Sequence, residues 1–450
     1  MAPMGDKTGW ASEKIGRDVI WTTKNKRIEL ESVTPHAHGP APGIRGRSPG
    51  VAEIRFTPQE MFGAMARCPH LHPIDPAAVT FESEGCRHLI AKHVNERPVD
   101  FSILPSVKRL KDFSRTHMIG VAGAAIAYLQ MIRDGYVWCD HFENLHMTRK
   151  PRTRRSPDFV FSRPGDTDVA LTESKATHGS SRKQFKRTVE SGYLKQVEPH
   201  LGFEISGAVA SHGFSMGSWM TSATRAELLI DHTAIPAPAG SDSPPSNPNV
   251  IRRGNYLTVL SLMFGPAIAA AARAGTWVPS ETQFLAVHWL DRDWLIGLSD
   301  FPQAALWIAS EDEAGGGFDS RHLRLSNDFA LELGVARAFF SSLASPDDRS
   351  DPLAELGRMD DALIARARER GGAVFPDGFA VLGKDKTGAP VTILNWDPQL
   401  DQFKKEDVKV TGELPEPVLQ HSFEAPTWAF EQEREKPKTE RLRLTVGRTD

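Results

Sequence analysis

Cysteine is scarce. Only Cys68, Cys86 and Cys139 occur in 450 residues. Three thiols cannot build a disulfide framework, and their scarcity predicts a reducing compartment. Charge of one sign is also missing. Lys and Arg number 54 against 57 Asp and Glu, a net charge of −3. A uniformly basic coat is excluded, so any site for a polyanion must come from local asymmetry. Long apolar runs are absent too. Met1 to Ser48 lacks the apolar stretch of a secretory signal, which predicts a cytoplasmic protein. Tyr256 to Ala272 is the best membrane candidate, but it is short, broken at Gly265-Pro266 and followed by Arg273. That stretch predicts a buried helix and no membrane contact. What is present is an ordinary globular balance, 40% hydrophobic and 25% charged. The length predicts two or three domains.

Punctuation along the chain divides it. Residues 1–50 read as a flexible N-terminal arm and 51–113 as a helical and mixed region. Within the latter, Thr57, Pro58 and Glu60 spell a capping box that opens a helix. A core follows over 114–230. Met118 to Ile132 is apolar nearly all round and predicts a buried helix, with Gly135 placed to end it. Strands are expected at Tyr136–Leu145, Asp158–Phe161, Val169–Ala176 and Ile205–Ser211, with a basic helix at Ser181–Val197. The Pro/Ser/Asn-rich stretch 231–249 reads as a linker. Residues 250–430 read as a second, accessory α/β domain, and 431–450 as a charged tail. In that domain, helices are expected near Asn327–Leu343 and Asp351–Arg370. A hairpin is expected to join Gly378–Leu382 to Val391–Trp396 through Lys386-Thr387-Gly388.

Chemistry concentrates in Ser156–Ala176, SPDFVFSRPGDTDVALTESKA. Period-two alternation puts Val169, Leu171, Glu173 and Lys175 on one strand face. The Pro164-Gly165-Asp166 turn can fold Asp158 alongside. Two carboxylates brought together repel unless a cation neutralises them. A hard divalent ion held by Asp158, Glu173 and the Ser174 carbonyl could activate water beside a phosphate. Lys175 could orient that water, deprotonate it or hold the phosphate.

Pro157-Asp158 followed by Glu173-Ser174-Lys175 resembles the signature of the PD-(D/E)XK nuclease superfamily. The expected order of elements from Ser114 to Ser211 is similar to that superfamily's restriction-endonuclease-like αβββαβ core. The resemblance implies an α/β fold, Mg²⁺ or Mn²⁺ as cofactor, and catalytic roles for Asp158, Glu173 and Lys175. In that family the Asp and Glu bind the metal and the Lys supports the attacking water. Many members add a Glu from the first helix; Met118 to Ile132 has no carboxylate. Glu143 or His117 could substitute, or the chain could be a binding-only descendant.

Charge agrees with a nucleic-acid partner. From His146 to His200, 12 cations face six carboxylates, while the rest of the chain holds 42 against 51. Arg149, Lys150, Arg152, Arg154 and Arg155 precede the Asp158 strand. Arg182, Lys183, Lys186 and Arg187 open the basic helix. These nine are the expected phosphate contacts, with a solvated basic loop and helix face as the alternative. Gln184, Gln196 and His178 are possible accessory residues. Cys68, His70 and His72, with Cys86 and His88, match no standard zinc finger, so separately buried cysteines are favoured over structural zinc. Phe284, Trp289 and Trp294 are expected in the core rather than stacked on bases.

The expectation is therefore a cytoplasmic metal-dependent nuclease cleaving DNA, RNA remaining open; a prokaryotic defence, restriction or mobile-element setting is what the resemblance implies. A protein partner or homo-oligomer could form through the C-terminal domain. The alternatives are a non-catalytic nucleic-acid-binding or assembly protein on the same fold, and a toxin or effector nuclease.

Overall fold

The computed structural model describes residues 21–37, 52–68, 89–147, 151, 153–235, 248–281, 283–297, 329–344, 351–383 and 391–405. The first element departs from expectation. Lys26–Ala37 is a 12-residue strand, β1, inside the stretch read as a flexible arm. Its order comes from distant partners. It pairs antiparallel with β2 (Glu53–Phe56) and parallel with Glu227–Ile235 far along the chain. Lys26 is fully buried, its ammonium donating to the carbonyls of Asn95, Glu96 and Pro98. Local composition cannot register such pairings.

Helix α1 (Pro58–Arg67) opens on the capping box read from sequence: Thr57 Oγ1 accepts from Glu60 N, and Glu60 Oε2 accepts from Thr57 N. Helix α2 (Asp112–Arg133) is buried at most positions from Met118 to Ile132 and ends before Gly135 at φ +89°. It starts earlier than predicted and so contains one carboxylate, Asp112, which pairs with Arg115. Three antiparallel strands follow: β3 (Trp138–His141), β4 (Phe159–Ser162) and β5 (Val169–Thr177). The strand predicted to reach Leu145 stops at His141, and a one-turn 3₁₀ helix takes over. Helix α3 (Arg182–Gly192) is capped by Ser181 and continues as a π-helical turn, Tyr193–Val197. The strand expected at Ile205–Ser211 is a tight hairpin instead. β6 (Glu204–Ile205) turns at Ser206-Gly207, both at positive φ, into β7 (Ala208–Trp219). β8 (Glu227–Ile235) runs five residues into the predicted linker.

The first sheet is mixed, in the order β2-β1-β8-β7-β5-β4-β3, with β5 parallel to β7. Helices α2 and α3 cover its opposite faces. On one side Gly123 of α2 lies so close to Ala176 that no side chain would fit between them. On the other, Phe185 and Val189 of α3 pack over Gly217.

Beyond residue 248, helices α4 (Asn249–Phe264) and α5 (Pro266–Arg273) are the apolar stretch, interrupted at Gly265 as its sequence suggests. Among the described residues no helix is long and apolar enough to cross a membrane. The second sheet adds β9 (Gln283–Trp289), β10 (Arg292–Gly297), β11 (Phe329–Glu332), β12 (Ala373–Val374), β13 (Phe379–Val381), β14 (Val391–Asp397) and β15 (Gln402–Lys405). It is antiparallel, in the order β12-β13-β11-β10-β9-β14-β15. The predicted hairpin of β13 with β14 does not form, because β11, β10 and β9 lie between them. The tight hairpin is β9–β10, turning through Leu290 and Asp291, both at positive φ. No glycine marks that turn, so local chemistry did not announce it. Phe284, Trp289 and Trp294 are buried, as expected of core residues. The helix predicted from Asn327 begins at Leu333 (α6, Leu333–Ala344), because Phe329–Glu332 pairs as β11. That predicted over Asp351–Arg370 is a 3₁₀ turn, Pro352–Glu355, followed by α7 (Asp361–Glu369).

Apolar side chains of both sheets join one cluster, including Phe161 and Met216 from the first and Phe284 and Leu331 from the second. A buried polar chain crosses it. Arg67 Nη2 donates to Asp377 Oδ2 at 2.8 Å and to Asn255 Oδ1 at 2.5 Å. Trp138 Nε1 donates to the Tyr256 hydroxyl, which donates to the Asp377 carbonyl. A charge so buried is tolerable only while its partners satisfy it.

Candidate active site at the divergence of two strands

Asp158 immediately precedes β4 and is clamped by its backbone. Its N–H donates to Thr172 O, and its carbonyl accepts from Phe142 N. Phe159 pairs with Thr172, so β4 and β5 part company just beyond Thr172. Asp158 Oδ2 fills the gap, accepting the Ser174 N–H at 2.8 Å. In an extended strand a residue's N–H and C=O point to the same edge, so the Ser174 carbonyl faces that gap as well.

The side-chain alternation of the sequence holds. Val160, Val169 and Leu171 pack with Tyr193 and Val197 beneath the α3 side, while Phe159, Phe161 and Ala170 belong to the cluster on the α2 side. Glu173 and Lys175 continue in step from Leu171, and Asp158 lies two residues before Val160. All three therefore face the α3 side of the sheet.

Lys175 Nζ donates to Glu173 Oε1 and, at 3.1 Å, to Gln196 Oε1. Gln196 Nε2 donates to the Ser156 carbonyl at 2.9 Å. One amide thus ties the ammonium to the segment leading into Asp158. Gln196 sits in the π-helical turn, where the wider winding re-aims side chains relative to a continuous α-helix. Gly192, just before the turn, brings that backbone close. A Cβ there would meet Ser215 Oγ at 2.7 Å and approach Lys175 Cε and Glu173 Cγ at 3.3 and 3.4 Å.

The electrostatics are those of a crowded acidic pocket. Glu173 is 1% exposed, and burial, then Asp158, push its carboxyl up to about 8 despite Lys175. Its Oε2 is buried without a hydrogen-bond partner. Burial also raises Asp158, opposed by the Ser174 N–H and Lys175. Glu143, in the 3₁₀ turn past β3, is raised by partial burial and by Asp158, so it lies within electrostatic reach of that carboxylate. Glu143 and His117, the two residues considered as substitutes for a helix carboxylate, are both exposed.

The other expected residues divide. Gln196 reaches the site. Gln184, at the exposed start of α3, meets Ser181 only through its backbone N–H. His178 is just past β5, lowered by burial and by the charges of Lys108 and Arg115. Arg154 and Arg155 are exposed beside the Asp158 strand, and Thr153 anchors their loop by donating to Lys195 O. Lys183, Lys186 and Arg187 are exposed on α3. Arg182 is engaged instead with Glu31 and, at 2.6 Å, with Glu227, in a network joined by Arg225. Its carboxylate partners come from β1 and β8, which the helix sequence could not reveal. Arg149, Lys150 and Arg152 lie outside the described residues, as do His70, His72, Cys86 and His88. Gly192 and Ser215 were missed by sequence reading, since a glycine in a helix and a serine in a strand carry no chemical signature.

Among the described residues no three His, Cys, Asp or Glu side chains gather into a closed metal cage. The site is a pair of carboxylates with an ammonium, open at a strand edge. No protein-family model matches the chain, and neither the curated proteins nor the solved structures yield a match. What fold and site define together is a mixed α/β protein with a carboxylate–lysine cluster.

Proposed function

We propose that the chain is a metal-dependent deoxyribonuclease on a restriction-endonuclease-like core, with Asp158, Glu173 and Lys175 as its catalytic residues. One observation carries this: two carboxylates and an ammonium share a sheet face where two strands diverge, with Glu173 Oε2 buried and unpartnered. The succession α2, β3, β4, β5, α3, β7 supports the same core.

The donor set suits Mg²⁺ or Mn²⁺. Such ions use one or two carboxylates and complete their shell with water and substrate oxygens, so a closed cage is not needed. Asp158 and Glu173 would hold the ion, with the Ser174 carbonyl on the same edge. When bound, it lowers the pKa of a water ligand and offsets charge on the attacked phosphate. Glu173 resists ionisation because it is buried beside Asp158; a divalent cation opposes both causes. Lys175 supplies a fixed positive charge for the attacking water or a phosphate oxygen. Gln196 holds that flexible side chain in place, removing rotamers that would otherwise be lost on substrate binding. Arg154, Arg155, Lys183, Lys186 and Arg187 supply charge for the polymer backbone.

Purified chain incubated with supercoiled plasmid and Mg²⁺ or Mn²⁺ should nick or linearise it. Lys175→Ala should lower the rate by roughly 10²–10⁴-fold. Equal cutting by both proteins would remove Lys175 from catalysis. Intact DNA with both, under either metal, would overturn the nuclease assignment. That outcome would favour the binding-only reading, whose support is the missing inward carboxylate on α2.

A further inference from the structure

The most exposed large apolar side chain among the described residues is Phe113, at 77%. It stands on the first turn of α2, between the exposed Lys111 and the half-buried Arg115, with exposed Lys108 and Arg109 just upstream. Over 108–117 four Lys and Arg face one carboxylate, Asp112. Asp112 is paired with Arg115, but it is 91% exposed, where such a pair is worth little. An aromatic ring left in water costs free energy, and the exposed residues near it in the chain are mainly cations. Cations around a bare ring are instead the equipment of a single-strand nucleic-acid groove, charge for phosphates and a π-face for a base.

The position fits. Gly123 of α2 rests on Ala176, the residue after Lys175. Ten residues back along the helix places Phe113 roughly 15 Å further on. His178, three residues past Lys175, already feels the charges of Lys108 and Arg115, so this surface abuts the end of β5. The β5 edge beyond Thr172 is free of β4. A strand leaving the carboxylates can pass along that edge to the start of α2, well within the footprint of about 4–16 nucleotides typical of single-strand grooves.

We infer that Lys108, Lys111 and Phe113 form a second nucleic-acid contact, in which the two ammonium groups bind phosphates and the Phe113 ring stacks on an unpaired base. This rests on the nuclease assignment for its direction, with the substrate entering or leaving over α2 as a single strand.

The test is binding of the full chain to a fluorescein-labelled mixed-sequence single strand, by anisotropy, with Ca²⁺ replacing Mg²⁺ to prevent cutting. Phe113→Ala should weaken binding about ten-fold or more, and Phe113→Trp should retain it. Lys108→Ala with Lys111→Ala should lower the slope of log K against log salt by about 1.4. Phe113 is on the surface, so the variant should keep the wild-type melting temperature, which is measured in parallel. Unchanged affinity in Phe113→Ala would overturn the stacking contact while leaving plasmid cleavage and its Lys175 dependence intact. Wild type that binds in a Phe113-dependent way yet never cuts plasmid would keep this surface and remove the nuclease assignment. No binding by wild type would overturn the contact outright.

Discussion

Glu173 is the residue through which pH, metal and stability should be coupled. Its carboxyl is raised from 4.5 to about 8 in the folded chain, by burial first and Asp158 second. Between those values the folded state holds a proton that the unfolded state has released. The sign follows: stability from this group is fully present below pH 4.5 and declines as pH rises toward 8. At about 1.4 kcal/mol per pH unit, the loss by pH 7 without metal is at most about 3.5 kcal/mol. Partial ionisation against Lys175 reduces it. Asp158, Asp140 and Asp231 are raised by burial too and slope the same way, Asp140 to about 6. The measurement is therefore a difference. Melting temperatures of wild type and Glu173→Gln are followed from pH 5 to 8 in EDTA and then in Mg²⁺. In EDTA the wild type should fall more steeply than the variant. Mg²⁺ should stabilise wild type more at pH 8 than at pH 5, because ion and proton compete for the same oxygens. The variant, a neutral isostere, should respond little to Mg²⁺. Parallel curves for the two proteins in EDTA, or an equal Mg²⁺ response, would refute the coupling.

Two further outcomes follow from the geometry. Gly192→Ala forces a methyl group to within 2.7 Å of Ser215 Oγ and against Lys175 and Glu173, so the π-helical turn must shift. Plasmid cleavage should drop at least ten-fold with stability reduced by about 1–3 kcal/mol in urea denaturation; activity equal to wild type would show that Gln196 placement is unimportant. Asp377→Ala strands the Arg67 guanidinium in the core, 4% exposed and with its main anionic partner removed. Chemical denaturation should report a loss of about 3–5 kcal/mol, and a loss under 1 kcal/mol would mean that water or Asn255 satisfies Arg67 alone.

Where residues interact with near neighbours in the chain, the sequence was legible. The Thr57–Glu60 capping box, the buried helix ending at Gly135, and the Pro164-Gly165-Asp166 turn each depend on contacts a few residues apart. The shared face of Val169, Leu171, Glu173 and Lys175 needs only the two-residue period of a strand. Asp158 comes into line because a short turn joins its strand to theirs. Legibility failed where distant segments compete for the same partner. β1 is ordered by β8, about 200 residues away, and the carboxylates of both capture Arg182, which by sequence alone stood among the phosphate-binding cations. β13 and β14, near in sequence, are separated by three strands, two of which, β9 and β10, come from a segment about 90 residues earlier.

By itself, then, the sequence determined the residue types at the site, their spacing and the face of the strand that carries them, since these follow from backbone periodicity and one local turn. Only the tertiary structure decided that β4 leaves β5 at Thr172 to open an edge, that a π-helical turn carries Gln196 onto Lys175, and that a bare phenylalanine ring stands beyond the end of that strand. Each of these depends on how separate elements pack, and packing is settled by non-local burial.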